Sequence, residues 1–125
     1  MSELTALSNE FIEVATQEIN EDLANIAVIL DSCKNDNDIS KNSSKIEKHM
    51  HNLKGLAPMM GKASIGNVAK HLDSILKKII SGKKVDGIFE PICTSIEKMQ
   101  LDMKSPHEMS EIQKQISEMD KKLVD

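Results

Sequence analysis

The sequence from Ile46 to Gly61 is IEKHMHNLKGLAPMMG. Its apolar residues recur every three or four positions, at Ile46, Met50, Leu53, Ala57 and Met60. An α-helix turns about 100° per residue, so these side chains gather on one face. The pattern therefore predicts an amphipathic helix that buries this stripe.

His51 is predicted to point to solvent, because it lies about 140° around the helix from Ile46. Lys54 follows three residues later and Gly55 four residues later. A glycine inside a helix costs about 1 kcal/mol relative to alanine, and position i+4 lies beside residue i. A lone exposed histidine indicates no function. An uncrowded imidazole beside a cation, however, is what a phosphoryl-accepting histidine needs.

The rest of the chain repeats the helical pattern and shows no alternation of the kind that marks a strand. We predict an all-α fold, an up-down antiparallel bundle of five helices, because short connections favour antiparallel neighbours. Pro58 should end or kink the second helix near Ala57, and Gly61 should make the turn that follows. A polar loop is expected at 34–38. The five predicted helices span residues 8–32, 40–57, 64–81, 85–103 and 106–124.

Composition restricts the classes of function that remain. The 125 residues fit a single domain, 1–125, with a net charge of −4 and two phenylalanines as the only aromatic residues. Phosphate-backbone binding and base stacking are therefore disfavoured, so we expect no nucleic-acid partner. Cys33 and Cys93 lack metal-type spacing, and neither a signal peptide nor a membrane span is recognised. We expect a cytoplasmic protein that does not insert into membranes.

The run His-x-Leu-Lys-Gly at 51–55 is followed by Met-Gly at 60–61, six residues after the lysine. This pattern resembles the histidine phosphotransfer (HPt) family. It is most similar to the domain at the front of the chemotaxis histidine kinase CheA. The resemblance covers nearly the whole chain and implies a four-helix HPt core plus a C-terminal helix. It also implies that His51 accepts a phosphoryl group, with Lys54 and Gly55 in the family's motif positions.

The third helix departs from the family pattern. The family usually carries a second histidine and, three residues later, a glutamate on the third helix. Alignment from His51 without gaps places Lys70 and Asp73 there, and His71 falls one residue late. We expect Lys70, Asp73 and Lys77 on one exposed flank. Asp73 would accept a hydrogen bond from Nδ1–H of His51, while Lys54 and Lys70 would offset charge on the phosphoryl group.

The resemblance further implies a phosphoryl carrier rather than an enzyme. The chain lacks a nucleotide-binding loop, so ATP and magnesium are expected on partner domains and no cofactor or metal in this one. The expected partners are a CheA-type kinase catalytic domain and a response-regulator receiver domain, with this domain a monomer in isolation.

The sequence also suggests two other functions. A helical docking module that binds a receiver or kinase without being phosphorylated is motivated by Lys70 and by Pro58 beside the motif. A carboxylate-bridged metal bundle is disfavoured because no histidine has an acidic residue three positions before it. His49 and His51 also point about 160° apart on their helix and cannot bind one ion together.

Overall fold

The computed structural model describes residues 9–123, and all its regular elements are α-helices. The predicted all-helical fold is therefore confirmed, although these residues hold six helices where five were expected. The predicted start at 8 and end at 124 lie outside the described residues. The helices are α1 (Asn9–Asp31), α2 (Asp36–Lys41), α3 (Ser43–Met59), α4 (Ala63–Ile80), α5 (Phe89–Lys104) and α6 (Ser110–Lys122).

The additional helix, α2, begins in the stretch predicted as a loop. The side-chain carbonyl of Asn35 accepts the backbone N–H of Asp38 at 2.9 Å, which caps the first turn. Asp36 and Asp38 also place negative charge at the positive end of the helix dipole. The helix is interrupted at Asn42, and α3 begins at the next residue. The polar run 34–38, which was expected to be a loop, therefore contains the start of a helix.

Pro58 does not stop α3 at Ala57, because the helix continues through it to Met59. The turn then forms at Gly61, whose φ of 75° is the left-handed conformation that glycine adopts without strain. The N–H of Lys62 donates to the carbonyl of Ala57 at 2.9 Å and closes this end of the helix. The chain therefore reverses within three residues between α3 and α4.

Cross-contacts show that α3 and α4 run antiparallel. Pro58 meets Gly66 near the turn, and the contact from His51 to Asp73 lies further from it. A Cβ atom added to Gly66 would lie 2.6 Å from Cγ of the Pro58 ring. The absence of a side chain at Gly66 therefore permits the close approach of the two helices, and this approach sets which side chains face each other along them.

The core is aliphatic and methionine-rich, as the composition predicts. Ile46, Met50, Leu53 and Ala57 of α3 are buried, and α4 buries apolar residues from Ile65 to Ile79. The spacing of three and four residues between apolar positions predicts Ile12 in the core, and this prediction is wrong, because Ile12 is 43% exposed in the early turns of α1. None of the described helices is long and apolar enough to cross a membrane.

The later helices begin after the predicted positions. The chain enters α5 at Phe89 rather than at 85, and α6 at Ser110 rather than at 106. The carboxylate of Asp36 accepts the N–H groups of Gly87 at 2.7 Å and Phe89 at 2.8 Å. These bonds hold the segment before α5 against the start of α2 and lower the pKa of Asp36 below its ordinary value.

Candidate functional site

His51 lies on the exposed side of α3, with 55% of its side chain accessible. Its Nδ1 lies 3.3 Å from Oδ2 of Asp73 on α4. Every polar contact that the ring makes within residues 9–123 is at Nδ1. A neutral imidazole has one donor and one acceptor nitrogen, so when Nδ1–H donates to Asp73 the lone pair remains on Nε2. The exposed ring thus has one anchored nitrogen and one that is available.

Asp73 is buried, with 2% of its surface exposed, so the expectation that it lies on an exposed flank is wrong. The close pairing of α3 and α4 encloses it. Burial alone would raise the pKa of Asp73. The adjacent side chains of Glu47, Lys77, Lys54 and His51 outweigh burial and lower that pKa to about 2. Asp73 is therefore an anion at neutral pH, fixed against the imidazole.

Two ammonium groups accompany this carboxylate. Nζ of Lys54 lies 3.1 Å from Oδ2 of Asp73, and Nζ of Lys77 lies 2.9 Å from the same oxygen. Nζ of Lys77 is also 3.5 Å from Nδ1 of His51. Lys70 is exposed and lines a groove of about 400 Å³ with these two lysines. In the described part of the chain, Lys77 rather than Lys70 supplies the second cation that contacts Asp73.

Gly55 has open space where a side chain would be. A Cβ atom built there meets nothing within 4 Å, apart from the helix's own backbone. No packing against another helix therefore requires this glycine, unlike Gly66. The effect of Gly55 is to leave the surface one turn beyond His51 uncrowded, which agrees with the reasoning from its spacing.

Two other histidines pair with aspartates, and they provide internal comparisons. Nδ1 of His49 lies 2.8 Å from Asp22 of α1, and Nδ1 of His71 lies 2.8 Å from Asp120 of α6. Their side chains are only 28% and 17% exposed. His71 therefore faces α6 and takes no part in the site. Of these three paired imidazoles, His51 is the most exposed and the one in contact with a lysine.

Metal-type donors do occur at the site. One donor atom each from Glu47, His51 and Asp73 lie within 4.8 Å of one another. Two carboxylates there are already balanced by the ammonium groups of Lys54 and Lys77, which lie within hydrogen-bonding distance of Asp73. A divalent cation would have to displace both from that oxygen. We therefore assign no metal to this cluster.

Sequence reasoning missed two members of the site. The sequence places Lys77 on the expected flank with Lys70 and Asp73 but gives it no role, and Glu47 belongs neither to the motif nor to the expected site. Both stand one helical turn from a site residue: Lys77 is four positions after Asp73, and Glu47 is four positions before His51. The i, i+4 rule would have identified them once the site face of each helix was known.

Comparisons with known proteins add no assignment to this geometry. The chain matches no protein-family model, no curated protein and no solved structure.

Proposed function

We propose that this chain is a histidine phosphotransfer domain of two-component or chemotaxis signalling. In this proposal His51 accepts a phosphoryl group from a CheA-type kinase catalytic domain and passes it to an aspartate of a response-regulator receiver. The helices form the up-down antiparallel bundle of that family. The domain is a cytoplasmic phosphoryl carrier, and its ATP and magnesium belong to the kinase partner.

The observation that carries the proposal is the environment of the His51 ring. It is an exposed imidazole, anchored through Nδ1 to a buried anion, with two ammonium groups within 3.1 Å of that anion. A carboxylate that accepts from Nδ1–H fixes the tautomer and stabilises the positive charge that develops on the ring. The paired but less exposed rings of His49 and His71 offer a phosphodonor less access.

The chemistry follows from the two ring nitrogens. The lone pair of Nε2 attacks phosphorus, and the P–O bond to the donor's leaving group breaks with its electron pair on the departing oxygen. Nδ1 keeps its proton and its bond to Asp73 throughout. Lys54 and Lys77 oppose the negative charge of the phosphoryl oxygens. Transfer to a receiver aspartate is the same displacement, with the phosphohistidine as donor.

The test is phosphorylation by a CheA-type kinase core with labelled ATP. Wild type should acquire a label that is acid-labile and alkali-stable, as a phosphohistidine is. His51→Gln should acquire none. His49→Gln and His71→Gln are the matched controls, since each removes one carboxylate-paired imidazole. Both should be labelled, with thermal melts to show that they fold.

Other results would contradict the proposal. Label that persists in His51→Gln would place the phosphoryl group elsewhere. No label on wild type, from a kinase active on another substrate, together with receiver binding that His51→Ala leaves unchanged, would favour a docking module that is not phosphorylated.

A further inference from the structure

Glu47 lies one turn before His51 on α3 and faces the same cluster. Its Oε2 is 3.9 Å from Nδ1 of His51 and 3.7 Å from Nζ of Lys77. Only 17% of its side chain is exposed. Neither the sequence motif nor the proposed transfer step gives this carboxyl group a role, although it is the second acidic group beside the imidazole.

The two oxygens of Asp73 are unequally satisfied. Oδ2 accepts from His51, Lys54 and Lys77. Oδ1 is buried and has no hydrogen-bond partner among the described residues. A buried carboxylate oxygen without a donor is costly. The neighbouring group that gains a donor by protonation is Glu47, which lies in the same cluster.

The charged groups around this pair come from both packed helices. His51 and Lys54 face it from α3, and Lys77 faces it from α4. The acidic residue that α1 brings to α3, Asp22, is paired with His49. The adjacent carboxyl group of Asp73, and then burial, raise the pKa of Glu47, while the pKa of Asp73 falls. Opposite shifts in neighbouring carboxyl groups are what a shared proton produces, with the proton held on Glu47.

We propose that Glu47 is a positioning residue of the His51 site, which shares a proton with Asp73 by donating it to the buried Oδ1. This bond satisfies the unpartnered oxygen and leaves Oδ2 to serve the imidazole and the two lysines. Glu47 then contributes no negative charge beside the ring. When Glu47 is ionised, the same carboxyl group faces Asp73 as a second anion and draws Lys77 toward itself.

A consequence follows for phosphorylation, and this consequence rests on the proposed function. The arriving phosphoryl group brings negative charge to Nε2, so the ionised form of Glu47 becomes less favourable. Any fraction of Glu47 that is still ionised therefore takes up a proton from solvent as the N–P bond forms, and linkage requires that prior protonation favours phosphorylation equally. Removing the unit charge of an ionised Glu47, whose Oε2 lies 3.9 Å from Nδ1 of the ring, corresponds to a rate change of roughly threefold to tenfold.

The first experiment needs no kinase. Titration of the Glu47 side-chain carboxyl by ¹³C NMR on the unphosphorylated chain should give a midpoint above the ordinary glutamate value. In Asp73→Asn the midpoint should fall toward that value, because the amide donates to ionised Glu47 instead of accepting from the acid. An ordinary midpoint in wild type, or one that Asp73→Asn leaves unchanged, would overturn the pair.

The second experiment measures phosphorylation rates at pH values on either side of the measured Glu47 midpoint. Glu47→Gln keeps a donor for Oδ1 and cannot ionise, so it should match wild type below that midpoint and accept phosphoryl roughly threefold to tenfold faster than wild type above it. Glu47→Ala removes the donor as well and should be slower than Glu47→Gln. Glu18→Gln, an exposed position on α1, should match wild type. A Gln variant no faster than the Ala variant would overturn the positioning role.

The two proposals fail differently. A raised Glu47 midpoint that responds to Asp73→Asn, in a chain that no kinase phosphorylates, would support the carboxyl pair and overturn the proposed function. Phosphorylation of His51 combined with an ordinary Glu47 midpoint would support the function and overturn the pair.

Discussion

The two glycines inside α3 and α4 should respond with opposite signs to the same substitution. Alanine is favoured over glycine in a helix by about 1 kcal/mol. At Gly55 the added methyl group meets nothing within 4 Å, so Gly55→Ala should stabilise the fold by about that amount. At Gly66 the methyl group would lie 2.6 Å from Cγ and 2.9 Å from Cδ of the Pro58 ring. Overpacking of this kind costs roughly 1–3 kcal/mol.

A proline ring is fixed to its backbone and cannot swing aside, so the upper part of that range applies. Set against the gain in helix propensity, Gly66→Ala should destabilise the fold by about 2 kcal/mol. For a chain of this size, 1 kcal/mol corresponds to a change in Tm of roughly 4 °C. Thermal melts followed by circular dichroism should place Gly55→Ala about 4 °C above wild type and Gly66→Ala about 8 °C below it.

The partner of the clash can be removed to test its cause. In a Pro58→Ala background the ring atoms that meet the new methyl group are gone, so Gly66→Ala should become neutral or stabilising relative to that background. If Gly66→Ala stabilises the protein with Pro58 present, or if Pro58→Ala does not relieve its cost, the close approach of α3 and α4 at this point is not what requires the glycine.

Three further results are expected. Gly55→Ala should accept phosphoryl several-fold more slowly than wild type, because it crowds the surface beside His51; an equal kinase rate would mean that the open space has no role in transfer. Asp73→Asn should destabilise the fold at pH 7 by less than about 2 kcal/mol, because folding lowers the pKa of Asp73 from 3.8 to about 2 while the raised pKa of Glu47 offsets part of that stability. That contribution is present above about pH 4 and is lost as the pH falls toward 2. The urea midpoints of wild type and variant should therefore converge in acid, and a difference between the two midpoints that stays constant with pH would contradict this linkage. Asp36→Ala should destabilise the fold by about 1 kcal/mol, because the two backbone N–H groups that its carboxylate accepts lose their partner. Relative to wild type, amide exchange should accelerate more at Gly87 and Phe89 than at the amides of α4.

The helical class of the fold could be predicted because the apolar period is strong. In α4, for example, the predicted range 64–81 differs by one residue at each end from the observed helix. The short α2 could not be found this way, because six residues span less than two helical turns and give no periodic signal. Only the capping pattern from Asn35 to Asp38 marks it. Ile12 fits the stripe of α1, but no described helix covers the position it occupies.

The candidate site was partly accessible from sequence. The order of His51, Lys54 and Gly55 along one helix fixes their mutual placement, and alignment to the family pattern selected Asp73. The burial of Asp73 depends on how closely α3 and α4 approach each other. The contact between Gly66 and Pro58 sets that distance, and because these two residues lie on different helices, a helical projection of either one does not reveal it. The contacts of Lys77 with the ring and of Glu47 with Lys77 follow from the same approach.

Among residues 9–123, every group that makes a hydrogen bond or an ion pair with the side chain of His51 or Asp73 belongs to α3 or α4, which a three-residue turn connects. The site therefore depends on contacts that are local in sequence, which form with little loss of loop-closure entropy. Opening of α6 would break the Asp120 contacts to His71 and Lys78 without separating His51 from Asp73. Native-state hydrogen exchange should then show α6 exchanging through partial opening while α3 and α4 exchange together, as a single cooperative unit that carries the reactive imidazole.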